Sequence, residues 1–87
     1  MTDYPLIVVE WVDSCGLKGG HWGSTEDAKQ LTPSDCRSVG WLINETDDAI
    51  VLAAHVTPHH VSGEMCIPKV AVTKRWPIKI TKKGRRR

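Results

Sequence analysis

An 87-residue chain that is 40% hydrophobic and 25% charged has material for one domain with a modest core. It holds no apolar run long enough for a membrane-spanning helix. Its net charge of +2 conceals an asymmetry: residues 1–73 hold all ten acids against four bases, whereas residues 74–87 hold eight bases and no acid. An acidic body with a basic end excludes a protein that coats duplex DNA with its whole surface.

The N-terminal stretch MTDYPLIVVEWVD has no basic leading region and no small-residue cleavage site, so no secretion signal is expected there. Cys15, Cys36 and Cys66 form an odd set without paired spacing. That pattern points to reduced thiols and a cytoplasmic setting rather than a disulfide framework.

LIVVEWV (6–12) is β-branched, nearly all apolar and too short for a helix, which predicts a strand buried on both faces for most of its length. DSCGLKGGHWGS (13–24) follows as a glycine-rich loop. Ser24 is placed to cap a short helix over TEDAKQL by accepting from the amide of Asp27, with Glu26 and Asp27 at the positive helix end. Thr32-Pro33 returns the chain to extended backbone.

In CRSVGWLINETDDAIVLA (36–53), Val39, Trp41 and Ile43 alternate with Ser38, Gly40 and Leu42. The period of two predicts a strand with one bulky and one slim face. Gly40 suits a bent strand passing close to a neighbour. Trp41 and Trp76, in alternating strands, are expected in the core.

An acidic turn at 45–48 leads to a strand over AIVLAAHV (49–56), and TPHHVSGE (57–64) reads as a longer loop. Pro68 divides residues 65–80 into two short strands joined by a tight turn or a 3₁₀ step. The expected whole is mostly β: a small five-stranded barrel over residues 1–81, with one short helix between strands 1 and 2. Residues 82–87 form a basic tail without apolar pattern.

Val39-Gly40-Trp41-Leu42, then Asn44-Glu45-Thr46-Asp47-Asp48, then Gly63 through Ile67-Pro68-Lys69 to Val72 resemble the Sm-like members of the SH3-like barrel class. The resemblance lies in layout over roughly residues 38–80. It departs where Lys69 stands for the family's arginine, where the following glycine is missing, and where residues 13–37 replace a tight turn. It implies a small barrel and RNA binding in a ring, with Asn44 and Lys69 at the base-binding loops. The string EWVDS…W…CRSVGW resembles short proteins encoded by bacteriophages.

No catalytic constellation stands out. His55, His59, His60 and Cys66 are zinc-type ligands, but their spacing lacks the paired anchor of a zinc site, so no metal or cofactor is expected. Asp13, Ser14 and a histidine lack a nucleophile elbow, and the glycines at 16–23 lack the G-K-[ST] of a phosphate loop. Trp22, among glycines just before a helix start, either stacks on a base or plugs the barrel's open end.

The expected function is therefore a non-enzymatic, homo-oligomeric binding protein. It would hold a nucleotide-type ligand through Trp22 (stacking), Ser24 (phosphate contact) and Arg37, Asn44 and Lys69 (polar and ionic contacts). The phage resemblance implies one purpose, sequestration of a host immune signalling nucleotide. An Sm-like RNA-binding ring, with the basic tail contacting RNA, and a module that inhibits a host protein are the alternatives. No membrane partner is expected, and oligomers would form through the open edges of the sheet.

Overall fold

The computed structural model describes residues 3–19 and 22–80. The basic tail at 82–87 lies outside the described residues. Within them the chain is mostly β. Its elements are β1 (Leu6–Asp13), α1 (Thr25–Lys29), β2 (Ser34–Glu45), β3 (Ala49–Ala53), β4 (His55–Val56), β5 (Val61–Ser62), β6 (Met65–Pro68), a 3₁₀ turn (Lys69–Ala71) and β7 (Val72–Pro77). Five strands make one antiparallel sheet in the order β6-β3-β2-β1-β7, and β4 pairs with β5 as a separate hairpin. Among the described residues no helix is long and apolar enough to cross a membrane.

Two expectations about local structure hold and one holds in part. β1 is a strand, but it is buried only over Ile7, Val8 and Val9 rather than for most of its length. The Ser24 hydroxyl accepts from the Asp27 amide at 3.0 Å and caps α1. Pro68 ends β6, and a 3₁₀ turn leads into β7. The long strand expected over 49–56 divides at Ala54, and the expected loop at 57–64 contains β5. The same device closes both turns: Thr46 Oγ1 accepts from the Ala49 amide at 3.2 Å, and Thr57 Oγ1 from the His60 amide at 2.9 Å.

The sheet is not closed into a barrel, which corrects that expectation. β6 and β7 are its two edges, joined by the 3₁₀ turn rather than by a ladder. The sheet nonetheless wraps a core of Ile7, Val9, Ile50, Leu52 and Ile67, with Trp11, Leu42 and Val72 packed against it. A register shift between Leu42 and Asn44 marks a bulge in β2, and bulges bend strands and increase their twist.

The core lies on the slim face of β2. Ile7 pairs with Gly40 and Val9 with Ser38, so these small residues share the inner face with Leu42 and Leu52. Trp41 and Trp76 are therefore not core residues: each is half-buried on the opposite, outer face. Inside a sharply curved sheet there is less room than outside, so the small side chains turn inward. A Cβ on Gly40 would lie 3.0 Å from the Ala53 carbonyl oxygen and 3.1 Å from Leu52 Cβ. Trp11 is the indole at the core, its Nε1–H donating to Ser38 Oγ at 3.0 Å.

Candidate ligand-binding site

The structure spreads the five sequence-nominated residues over separate parts of the fold. Trp22 and Ser24 lie in the segment between β1 and β2, where Trp22 is fully exposed and plugs nothing. Ser24 spends its hydroxyl on the cap of α1. Arg37, on β2, donates from Nε to Glu10 on β1 at 2.9 Å. Asn44 is exposed near the end of β2, and Lys69 opens the 3₁₀ turn.

Lys69 does belong to a built cluster. Glu45, the last residue of β2, accepts from Lys69 Nζ at 2.8 Å and from Arg75 Nη2 at 3.0 and 3.2 Å. These three charges lie on three segments: the end of β2, the 3₁₀ turn and β7. The Lys69 amide also donates to the Asp48 carbonyl at 2.8 Å, tying the 3₁₀ turn to the β2–β3 turn. Ion pairs and this hydrogen bond hold together the seam between the end of β2, the 3₁₀ turn and edge strand β7.

A groove of about 360 Å³ opens at this seam, within the range of small-molecule sites. Lys69, Arg75, Glu45 and Thr73 give it polar walls, and half-buried Val72 gives it an apolar contact, with the fully buried Ile50 behind. Neighbouring Lys74 holds its ammonium 5.3 Å from the Trp76 ring centre, a cation–π contact. The two cations that share Glu45 exceed it by one charge, so the cluster favours an anion with an apolar portion.

Of the residues nominated from sequence only Lys69 lines this groove; Glu45 and Arg75, which complete its charge cluster, were not nominated. A visible clue was the run Lys74-Arg75-Trp76, where alternation sends Arg75 inward and its neighbours outward. Grouping all eight C-terminal bases together concealed that difference.

The cations hold the Glu45 carboxyl below its ordinary value near 4.5, the Lys69 hydrogen bond contributing most and the Arg75 hydrogen bond next, against an opposing effect of desolvation. A depressed carboxylate adds stability that is present above its ordinary pKa and lost as pH falls through the lowered one. Glu45→Gln should therefore melt below the wild type at pH 7, with the difference closing as pH drops below about 4.5. Thermal melting of both proteins between pH 7 and pH 3 checks this. A constant difference would show that the charge of Glu45 is not what holds the seam.

The zinc-type residues do not converge. His55 is on β4, His59 and His60 border the Thr57 turn, and Cys66 is on β6. Among the described residues no three His, Cys, Asp or Glu side chains are grouped to hold a metal ion. The three cysteines are free thiols, and Cys15 donates to the Thr32 carbonyl at 2.9 Å. No protein-family model matches the chain, and neither a curated protein nor a solved structure matches it.

Proposed function

We propose that the protein is a non-enzymatic binding protein that holds a nucleotide-type ligand in the seam groove. One observation carries this reading: Lys69 and Arg75 converge on the single carboxylate of Glu45 beside the apolar side chain of Val72. A phosphate would enter beside or in place of Glu45 and take charge-assisted hydrogen bonds from the guanidinium and the ammonium. Val72 then takes the base or sugar. The resemblance to short phage proteins supplies a purpose, sequestration of a host signalling nucleotide.

The strand path supports the SH3-like reading of the fold. A β1-β2-β3-β6 meander, a 3₁₀ turn and a last strand returned to the free side of β1 trace a five-strand barrel opened along one seam.

Calorimetric titration with ATP as probe, on wild type, Lys69→Ala and Arg75→Ala, tests the proposal. Each replacement removes one charge-assisted contact, so each should weaken ATP by roughly ten- to a hundredfold, while Glu45→Gln should strengthen it. Absorbance at 260 and 280 nm with mass spectrometry of gently purified protein extends the test to ligands other than ATP. A wild type that binds no ATP and carries no nucleotide would sink the reading. So would affinity indifferent to both cations.

A further inference from the structure

The outer face of the sheet carries a second apolar patch, buried at Val8 and Ala53 but left open among the described residues at Val39. Register places Trp76, Val8 and Val39 in one row across β7, β1 and β2, and Leu6 beside Trp41 in the next. Val39 is 56% exposed, and both indoles are only half-buried. A sheet apolar on both faces normally packs each against another layer, and an open apolar face marks an interaction surface. Lys74, Glu10 and Arg37 form a charged row beside it, again in register.

The same chain carries an unused counterpart. From Asp13 to Asp35 none of the described residues is buried, yet the segment includes the fully exposed Trp22 and the 40% exposed Leu31. Its helix is acidic at its first turn, and among the described residues Asp27 has no ion-pair partner. This arm leaves the sheet where Asp13 pairs with Ser34, whereas Trp41 pairs with Leu6 at the other end of β1. At about 3.3 Å per residue the arm's root and Trp41 are roughly 23 Å apart, and the fully exposed Trp22 covers no part of its own patch.

We infer that the β1–β2 arm of each copy docks on the outer face of a second copy, with Trp22 seated against the Val39, Trp41 and Trp76 patch. The acidic start of α1 then faces Lys74 of the other chain. The exchange is reciprocal and closes as a two-fold dimer. Charge selects this occupant over the chain's own basic C-terminal segment, because Arg37 is already paired with Glu10 and a basic segment would bring like charge to Lys74. Pairing through the sheet edges is the weaker route, because β6 has four residues ending in Pro68, and β7 carries Lys74 and Arg75.

Analytical ultracentrifugation of the full chain across micromolar concentrations tests the dimer without any ligand. The wild type should be dimeric, and Trp22→Ala and Val39→Asp should each raise the dimer Kd by roughly thirtyfold or more, as loss of a central apolar anchor does. Both positions are exposed, so circular dichroism and melting should show folded variants. Asp27→Lys alone and Lys74→Glu alone each mismatch both contacts of the dimer and should weaken it. An equimolar mixture of the two should form a heterodimer, since one contact is then charge-reversed and the other native. A monomeric wild type, or a Trp22→Ala protein that dimerises as well as wild type, would overturn the proposal.

Discussion

An Ile50→Ala protein is expected to lose roughly 2–5 kcal/mol of stability, the range for truncating a fully buried branched side chain whose neighbours cannot collapse into the gap. Ile50 is 0% exposed and sits at the crossing of the core. It pairs with Glu45 on β2 and with Ile67, also 0% exposed, on β6. A domain of this size has a total stability of roughly 4–13 kcal/mol, so the truncation removes a large part of it. Urea titration of wild type and variant measures the loss. A change well under about 1 kcal/mol would mean that the sheet closes over the cavity, and that its curvature is adjustable rather than fixed.

Gly40→Val is expected to lower the melting temperature by roughly 5–20 °C, corresponding to about 1–3 kcal/mol of overpacking in a domain this small. Even a bare Cβ would meet the Ala53 carbonyl oxygen at 3.0 Å and Leu52 Cβ at 3.1 Å, and valine adds two methyl groups beyond it. Ala53 and Leu52 belong to β3, which is laddered to β2 on one side and β6 on the other, so neither can step aside alone. Gly40→Ala should fall between the two, because it adds the close contact without the branched volume. Differential scanning calorimetry of the three proteins tests the order. Equal melting temperatures would show that β2 can straighten at this point.

The strands of the five-stranded sheet, the Ser24 cap and the break at Pro68 were legible in the sequence because each rests on neighbours along the chain, whereas the β4–β5 hairpin was not. Period-two alternation, a hydroxyl three residues before an amide, and a fixed proline φ need no knowledge of the rest of the fold. The inner face of β2 was not legible in the same way. Val39 and Trp41 on one side and Gly40 and Leu42 on the other are both apolar, and only the direction of curvature decides which set is enclosed. Residue size then misleads, since the concave side accepts glycine and serine and leaves the indoles outside. The seam was hidden for a related reason. Glu45 and Arg75 meet only because the bent sheet brings the end of β2 back toward β7, a closure that no local pattern encodes. Among the nominated binding residues only Lys69 stands in that groove, while Trp22, Ser24 and Arg37 are held elsewhere by the arm, the helix cap and Glu10.

The central place of β1 also governs how the chain reaches its native state. β1 is bonded to β2 on one side and β7 on the other, with Val8 opposite Trp76. During synthesis β1 therefore waits for the later-made β7 before its second side is satisfied. The β1-β2-β3-β6 meander can zip up from adjacent pieces, but among the described strands the β1–β7 ladder closes the longest loop, an entropically slow step. Until then β1 presents an apolar, unpaired edge during synthesis, the kind of surface on which nascent chains associate wrongly.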